Sequence, residues 1–303
     1  MNSGWIITRR DFLKASAAVG ATTIPIATSA CTRGPERGLQ FGLVADIHYA
    51  DREPLNQRIY RDSLAKLGEC VEVLNESDAE FLIELGDFKD QDDPPDEQRT
   101  LSHLRAIEEV YQRFDRGTYH VLGNHDADSL SKTQFQANVV NTGISPERTY
   151  YSFDSNGFHF VVLDANFSAD GTDYDHDQFD IYDTNIPPAE LEWLEQDLTE
   201  SEHPAMCFIH QNLHEDVQPA VCNAAEIRSI LEASGKVLAV FQAHVHTGGL
   251  YHVGGIYYYG LRAMVEGHAP EGSSYALVDV KPDNSIIITG YRRAVAERLV
   301  AVV

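Results

Sequence analysis

Residues Leu39–Asp46 read LQFGLVAD, an apolar run that ends at a carboxylate. Such a run is typical of a strand buried on both faces, as in the parallel sheets of α/β proteins. A helical pattern follows, in which apolar residues recur at spacings of three and four: Leu64, Leu67, Val71 and Leu74. The stretch therefore predicts the first strand of a sheet that is covered by helices.

The alternation of strand and helix patterns continues along the chain. Phe81–Leu85 is a second apolar run, a second helical pattern follows it, and Tyr119–Leu122 is a third run. This order predicts a βαβαβ arrangement and an α/β fold in which mixed β-sheets are sandwiched by helices. The pattern then changes, because Asn156-Gly157 separates two shorter apolar runs and predicts a β-hairpin.

The second half of the chain mixes helices, strands and one irregular segment. Residues 169–183 are acidic and aromatic without periodicity, which indicates an inserted loop. Asn223 with Glu226 three residues later has the form of a helix capping box, and the strand pattern Lys236–Gln242 follows that helix. The C-terminal part predicts meandering strands, so a single mixed α/β domain over residues 39–293 is the simplest interpretation.

Charge and cysteine content limit the classes of function. The chain has 23 Lys plus Arg against 47 Asp plus Glu, a net charge of -24. Such a surface repels nucleic acid and anionic lipid, and an anionic substrate would need a local cationic site. Cys70, Cys207 and Cys222 have no CxxC spacing, so neither a disulfide framework nor a thiolate metal site is expected.

Residues 1–31 form a targeting segment and are excluded from the fold. Thr8–Lys14 reads TRRDFLK, a twin-arginine export motif, and the mildly apolar stretch Ala15–Ile26 follows it. Export to the periplasm or another extracytoplasmic space is the expected location. Ser29-Ala30-Cys31 resembles a lipobox, so a lipid anchor at Cys31 and simple cleavage both remain open, and such an anchor is the only membrane contact expected.

Polar side chains follow several of the predicted strands. They are Asp46, His48, Asp87, Asn124, His125, Asp126, His210, His244 and His246. Ligands of α/β sheets bind at the carboxyl ends of strands, so these loops should converge on one region. Carboxylates and imidazoles with one amide and no thiolate suit Mn²⁺, Fe or Zn²⁺. Two metal ions that share a carboxylate would account for so many groups, an arrangement used in hydrolytic phosphoryl transfer.

These residues resemble, in order and approximate spacing, the motifs of the calcineurin-like metallophosphoesterases. The motifs are Asp46-Ile47-His48, Gly86–Asp90, Gly123–Asp126, His210 and His244-Val245-His246. Within that family the chain is most similar to the manganese-dependent ADP-ribose/CDP-alcohol diphosphatases, through FGLVADIHYAD, RIYRDSL, YHVLGNHD and LEWLEQDL. Two positions depart: Ala243 stands where glycine is usual in the family, and His48 stands where the animal diphosphatases have glutamine.

The resemblance implies a role for each motif residue. One ion would be held by Asp46, His48, Asp87 and His246, and a second by Asp87, Asn124, His210 and His244. Mn²⁺ is favoured, with Fe or Zn²⁺ as alternatives. His125 would act as a general acid, with Asp126 as the carboxylate that orients it. Substrate contacts are less defined: His214, Arg262 and Tyr259 are candidates, while Asp90 and Asp164 are expected to support the site.

Three classes of function follow from this resemblance. The favoured class is a dimetal hydrolase of phosphoester or phosphoanhydride bonds in small nucleotidic diphosphates or diesters, of the ADP-ribose or CDP-alcohol type. A cyclic-nucleotide phosphodiesterase or a broad-specificity phosphomonoesterase would use the same ions and differ in the pocket wall. A non-catalytic metal-binding protein is the third class, and turnover of any phosphoester by the metal-loaded protein would exclude it. A small phosphorylated substrate is the expected partner.

Overall fold

The structure is a computed structural model that describes residues 38–214 and 219–300. The twin-arginine segment and Cys31 lie outside these residues. Within the described ranges, no helix is both long and apolar enough to cross a membrane.

The described residues form twelve β-strands and five α-helices. The strands are β1 (Leu39–Val44), β2 (Ala79–Glu84), β3 (Gly117–His120), β4 (Tyr151–Ser155), β5 (Phe158–Val162), β6 (Ala205–Phe208), β7 (Val237–Gln242), β8 (Gly249–Val253), β9 (Ile256–Gly260), β10 (Ser274–Val280), β11 (Ile286–Arg292) and β12 (Glu297–Leu299). The helices are α1 (Ser63–Asn75), α2 (Glu97–Tyr111), α3 (Lys132–Gln136), α4 (Pro188–Glu200) and α5 (Ala224–Ser234).

The strands belong to two mixed six-stranded sheets. The first has the order β12-β11-β10-β1-β2-β3, and the second has the order β4-β5-β6-β7-β9-β8. Parallel pairing links β1, β2 and β3 in the first sheet and β5, β6, β7 and β9 in the second. The carboxyl ends of the parallel strands in each sheet therefore lie at one edge, where the loops that follow them meet.

Aromatic side chains fill the space between the two sheets. Phe41 and Phe81 of the first sheet stack with ring centroids 5.0 Å apart. The ring of Phe41 also meets Phe160, Phe208 and Phe241 of the second sheet edge to face at 5.6–5.8 Å. Helices α1 and α2 cover the outer face of the first sheet, and α4 and α5 cover that of the second. The prediction of mixed sheets sandwiched by helices is confirmed.

The predicted hairpin is present between β4 and β5. Ser155 pairs with Phe158, and the turn residues Asn156 and Gly157 have φ angles of 48° and 81°. A two-residue hairpin with positive φ at both positions matches the right-handed twist of its strands, which is why Asn-Gly is favoured there.

Three details of the second half differ from the prediction. The C-terminal strands do not form one meander: β8 and β9 belong to the second sheet, whereas β10, β11 and β12 belong to the first. Regular structure also continues to Leu299, beyond residue 293. Asn223 does not cap α5 through its side chain, which instead accepts from the Ile186 amide and donates to the Ile186 carbonyl. It therefore ties the start of α5 to the end of the inserted loop.

The acidic segment 169–183 is anchored to the rest of the domain. Tyr174 is buried and stacks on Phe179 with ring centroids 4.1 Å apart. Lys132 Nζ joins this segment to the core, lying 2.8 Å from Asp173 Oδ1 and 2.7 Å from Asp164 Oδ2. The backbone amide of Asp177 donates to the Ala127 carbonyl. The insert thus packs against the segment that follows His125.

Buried His159 of β5 lies between Asp154 of β4 and Asp197 of α4, and this contact gives a stability test that depends on pH. Its Nδ1 lies 2.7 Å from Asp154 Oδ1 and its Nε2 lies 2.8 Å from Asp197 Oδ2. Burial acts to lower the pKa of His159, but the two carboxylates outweigh it and raise the pKa. The resulting stabilisation is fully present below the unfolded-state pKa of about 6.5 and is lost as pH rises through the folded-state value.

We therefore expect His159→Gln to lower the free energy of unfolding more at pH 6 than at pH 9. Urea unfolding of wild type and variant at both pH values measures the difference. The exposed His252→Gln, which removes an imidazole stacked on Tyr257, is the control for loss of a histidine and should change the free energy of unfolding little. An equal loss at both pH values would contradict the ionic role of His159.

Candidate metal centre

The first two strand ends pair with each other through their backbones. Asp46 and His48 follow β1, and Asp87 follows β2. The Asp46 amide donates to the Gly86 carbonyl at 3.1 Å, and the His48 amide donates to the Asp87 carbonyl at 2.8 Å. Asp46, His48 and Asp87 have φ angles of 49°, 46° and 56°. Left-handed backbone at a non-glycine residue costs roughly 1–3 kcal/mol, and such strain is concentrated at functional sites.

Glycine is required where the second and third loops touch. A Cβ added at Gly123 would lie 2.2 Å from the Asp87 amide nitrogen and 2.3 Å from Asp87 Oδ1. Gly86 has a φ of +92°, and a Cβ there would lie 2.6 Å from His210 Nδ1. Ala243, which stands at a position expected to be glycine, is accommodated in the core with its amide donating to the His210 carbonyl at 2.9 Å.

Six of the predicted ligands form two groups. Asp46, His48 and His246 form the first group, and Asp87, His210 and His244 form the second; within each group the ligand atoms lie within 4.8 Å of one another. Each group is small enough to surround one ion. The predicted seventh ligand, Asn124, begins the short 3-10 helix Asn124–Ala127 and is also buried.

The carboxylate of Asp87 lies between the two groups. Its Oδ2 is 3.4 Å from His48 Nε2 and 3.2 Å from His210 Nε2. Its other oxygen, Oδ1, accepts from the His125 amide at 2.8 Å, which fixes the plane of the carboxylate. A single oxygen that reaches a histidine of each group is in position to bridge two ions.

Two of the histidines are oriented by a hydrogen-bond contact at the ring nitrogen that faces away from their group. His246 Nδ1 lies 3.1 Å from Glu266 Oε1, whereas His48 Nδ1 lies 3.3 Å from Asp90 Oδ2 without forming a hydrogen bond. His210 Nδ1 lies 2.8 Å from the Leu85 carbonyl oxygen. Metal-binding histidines usually have such an acceptor at the second nitrogen, because it fixes the tautomer and the direction of the ring.

The donor atoms of the site fit metal ions. Asp46 Oδ2, Asn124 Oδ1 and His48 Nε2 are buried and have no hydrogen-bond partner. A buried polar atom without a partner normally costs about 1–3 kcal/mol. Bound cations would satisfy all three atoms at once, and mixed oxygen and imidazole donors suit Mn²⁺, Fe or Zn²⁺.

Neighbouring charges set the protonation of these side chains. Burial acts to raise the pKa of Asp87, but His210, His125 and His48 outweigh it and hold the pKa well below its usual range. Burial lowers the pKa of His48 to about 3, and burial with the charge of His210 lowers that of His244 to about 3. Asp87 is therefore ionised, and His48 and His244 are neutral imidazoles, which are the forms that bind metal. Asp87 outweighs burial and raises the pKa of His210 to about 10, so His210 must release a proton when a metal ion binds.

The contacts of His125 correct one expectation. Asp126 accepts from the backbone amides of Gly123, Asp87 and Phe88 at 2.8–3.0 Å, so it stabilises the two loops rather than the imidazole. The carboxylate nearest to His125 Nδ1 is Asp128, with Oδ2 at 3.2 Å. The side chain of His125 is 29 % exposed, and its ring lies against that of His48 with centroids 4.7 Å apart.

The three candidate substrate contacts have structural partners. Tyr259 is buried between the sheets and its hydroxyl donates to the Val295 carbonyl, so its predicted contact with substrate is corrected to a core position. Arg262 donates to the carbonyls of Thr247 and Arg293 and holds the loop that follows His246. His214 stacks on Tyr251 with ring centroids 3.7 Å apart, and its Nδ1 is 2.7 Å from Gln242 Nε2.

Two charged residues at the site were missed by sequence reasoning. Arg58 Nη1 lies 3.6 Å from Asp90 Oδ2, and its side chain is 30 % exposed beside the first group. Lys89 is fully buried and contacts Asp128. A signal for Lys89 was available, because lysine is scarce in this acidic chain and one follows the second motif directly. A signal for Arg58 was also available, because it begins the stretch RIYRDSL that resembles the diphosphatases.

The sequence matches two known families. Residues 39–248 match the family described as calcineurin-like phosphoesterase. Residues 7–24 match the twin-arginine translocation pathway signal sequence.

Curated relatives are similar in sequence over most of the chain, and one solved structure has the same fold. The manganese-dependent ADP-ribose/CDP-alcohol diphosphatase of Oryza sativa subsp. japonica is 26 % identical, with 85 % of this chain and 92 % of the relative covered. The Homo sapiens protein of that name is 24 % identical, with 83 % and 90 % covered. A dimetal phosphatase from Danio rerio has the same fold, with a TM-score of 0.73 at 21 % identity over 87 % of this chain and 99 % of that one.

The contact between Gly123 and Asp87 makes a stability prediction. We expect Gly123→Ala to destabilise the protein by roughly 1–3 kcal/mol, because the methyl group has no room beside the Asp87 amide. Gly68→Ala in α1 is the matched control: its Cβ would meet nothing within 4 Å. That control should be neutral or stabilising by up to about 1 kcal/mol. Urea unfolding measures both, and an equal response of the two variants would contradict this account.

Proposed function

The chain belongs to the calcineurin-like phosphoesterase family and is a metal-dependent phosphohydrolase. We propose which ions it binds and which substrates it hydrolyses. It uses two divalent cations, with Mn²⁺ favoured, to hydrolyse small nucleotidic diphosphates or diesters of the ADP-ribose or CDP-alcohol type.

The position of Asp87 carries the proposal of two ions. Its Oδ2 lies within 3.4 Å of His48 Nε2 and within 3.2 Å of His210 Nε2, so one oxygen serves both groups. Asp46, His48 and His246 complete the first ion site with Asp87. Asn124, His210 and His244 complete the second with Asp87. The buried, unpartnered oxygens of Asp46 and Asn124 support this division, one on each side of the bridge.

Two such cations would lower the pKa of a water molecule and offset the negative charge of the phosphate. The side chains of this protein would bind the two cations and protonate the leaving group. The surrounding carboxylates would hold the ions, and Glu266 fixes the ring of His246. No movement of ligands is then required during the reaction, which is the advantage of a preorganised site.

His125 is the proposed general acid. Its Nδ1 faces Asp128, so Nε2, at the opposite side of the ring, is the nitrogen available to the leaving oxygen. The ring packs on His48 and remains partly exposed, which places it at the mouth of the first ion site. A general acid must reach the atom that it protonates, and this position meets that requirement.

Three observations support a small nucleotidic substrate. The curated relatives described above are diphosphatases of ADP-ribose and CDP-alcohols, although their identity to this chain is low. A net charge of -24 opposes binding of a long polyanion. Arg58, partly exposed 3.6 Å from Asp90, provides a cation beside the first ion site that a second phosphate group could contact.

The twin-arginine match at residues 7–24 supports export of the protein. This pathway carries folded proteins, which suits an enzyme that acquires metal before export. We propose that the enzyme acts outside the cytoplasm. A lipid anchor at Cys31 and free release remain its two alternatives.

The bridging role predicts the metal content of a variant. Wild type purified without chelator should contain close to two transition-metal ions per chain, and Asp87→Ala should lose most of both, because the variant removes a ligand of each. Inductively coupled plasma mass spectrometry measures the content. Asp170→Ala, which removes an exposed carboxylate of the insert, is the control and should retain the wild-type content. Full occupancy of Asp87→Ala would overturn the bridge.

The substrate class is tested with a panel. Mn²⁺-loaded protein is assayed with ADP-ribose, CDP-choline, 2′,3′-cyclic AMP, bis-p-nitrophenyl phosphate and p-nitrophenyl phosphate. We expect the highest kcat/KM for ADP-ribose or CDP-choline, with the cyclic nucleotide next and the monoester last. A monoester cleaved with a far higher kcat/KM than every diester and diphosphate would refute the substrate class and leave the dimetal site intact.

A further inference from the structure

The segment of residues 263–267 follows β9 and lies beyond the family match, which ends at residue 248. Its backbone binds to two of the proposed metal ligands. The Val265 amide donates to the Asp46 carbonyl at 3.0 Å, and the Ala263 amide donates to the His246 carbonyl at 3.1 Å. Both ligands belong to the first ion site, so the segment forms one side of that site.

Glu266 connects this segment to the side chain of His246. Its Oε1 lies 3.1 Å from His246 Nδ1, within hydrogen-bond distance. A neutral imidazole that binds a metal ion through Nε2 has its proton on Nδ1, so Glu266 is the acceptor of that N–H. His246 Nε2 lies 3.8 Å from Asp46 Oδ1. The contact with Glu266 therefore fixes the tautomer and leaves Nε2 for the first ion.

Arg293 holds the second oxygen of the Glu266 carboxylate. Its Nη2 lies 3.0 Å from Glu266 Oε2, and its Nη1 donates to the Glu266 carbonyl at 2.9 Å. The Glu266 side chain is 19 % exposed, so water has limited access to these contacts. Because one oxygen faces the guanidinium group and the other faces the imidazole, the carboxylate is held in one orientation.

Lys66 of α1 fixes the backbone of the same segment. Its side chain is fully buried, and its Nζ donates to the carbonyls of Met264 at 2.8 Å, Val265 at 3.0 Å, Glu266 at 3.4 Å and Gly267 at 2.6 Å. A buried ammonium group must be compensated by such acceptors. Four consecutive carbonyls that face one ammonium group tie the segment to α1.

The segment has no corresponding contact with the second ion site. Within residues 38–214 and 219–300, no hydrogen bond joins residues 263–267 to Asn124, His210 or His244. The two proposed ions thus differ in what holds their ligands, since only the first depends on this C-terminal part of the chain.

We propose that Glu266, held by Arg293 and Lys66, is a positioning residue that sets the affinity of the first metal ion; this inference rests on the proposed function. Loss of its carboxylate frees the His246 ring to rotate and removes the acceptor for the Nδ1 proton. The first ion should then bind more weakly, whereas the second ion keeps its own ligands.

The test measures affinity for Mn²⁺ rather than turnover. Metal-free wild type, Glu266→Ala and His246→Ala are titrated with Mn²⁺, and the electron paramagnetic resonance signal of free Mn²⁺ gives the number of bound ions and their dissociation constants. Glu266→Ala should weaken one ion by about 10–100-fold, the usual range for loss of the outer partner of a metal ligand, and change the other little. Equal weakening of both ions, or of neither, would overturn the proposal.

His246→Ala identifies the ion that is affected. This variant removes a ligand of the first ion and leaves the second site intact, so the tighter of its dissociation constants belongs to the second ion. One of the two constants of Glu266→Ala should equal that value. If neither does, the loss is not confined to the first site and the inference fails. The wild-type titration tests the proposed function separately, because binding of a single ion by wild type would refute it.

A double-mutant cycle tests the role of Arg293. Arg293→Met should weaken the first ion, and in the Glu266→Ala background it should cause no further loss if it acts through Glu266. Losses that multiply would show that Arg293 acts on the site by another route and would reject the proposed arrangement.

Glu69→Ala is the matched control for a structural effect. Glu69 pairs with the neighbouring Arg292, whose Nε and Nη2 lie 2.8 and 3.0 Å from its two oxygens, and its side chain is 23 % exposed. Its other hydrogen bond comes from the Tyr275 hydroxyl. Both Mn²⁺ dissociation constants should therefore equal those of wild type, and a loss as large as that of Glu266→Ala would reject the proposal.

Glu266→Gln gives a second test if Glu266→Ala does not fold, and the melting temperature of every variant decides this point. Glutamine keeps the shape of the side chain, but a carboxamide has one acceptor oxygen and cannot accept from both Arg293 and His246. Glu266→Gln should weaken the first ion in the same direction as Glu266→Ala. Unchanged dissociation constants in a folded Glu266→Gln variant would reject the positioning role.

Discussion

The architecture of the site depends on one buried carboxylate, Asp87, at the junction of the two sheets. It is 2 % exposed, and an ionised group so deep in a protein must be compensated by positive charge or strong hydrogen bonds. Its partners come from both sheets: His48 follows β1 of the first, and His210 follows β6 of the second. The carboxyl edges of the two sheets must therefore meet at this residue, and the aromatic core between the sheets fixes their relative position.

The loops around Asp87 are tightly constrained as a consequence. Gly123 has no Cβ because the Asp87 amide occupies that space, and Asp46, His48, Asp87 and His244 all adopt positive φ angles. Each strained residue is held by hydrogen bonds between loops, including the amides that point at Asp126. Strain of this kind persists only where the surroundings determine the conformation, so the site is rigid before any ion binds.

Three of the few lysines in this acidic chain are buried and stabilise loops of the site. Lys66, Lys89 and Lys132 are buried, and each is committed to carbonyl or carboxylate oxygens. Lys89 and Lys132 lie on either side of the segment that carries His125, which the insert also covers through Asp177. Internal cations thus fix the geometry of the loops, whereas the Arg58 side chain remains partly exposed.

The sequence by itself determined the residues that are placed at strand ends, because apolar runs that stop at His, Asp or Asn mark both the strand and its polar exit. The parallel βαβ order, the Asn-Gly hairpin and six of the predicted ligands that cluster in space could all be identified in this way. Tertiary structure alone decided which side chains pair. Asp126 and Asp128 both lie within three residues of His125, but only Asp128 contacts its imidazole. Loop amides donate to the Asp126 carboxylate, whereas the buried Lys89 fixes the Asp128 carboxylate. The sequence also did not predict that the C-terminal strands are divided between two sheets. Alternation of apolar residues shows that a strand has a buried face, but it does not show to which sheet the strand belongs.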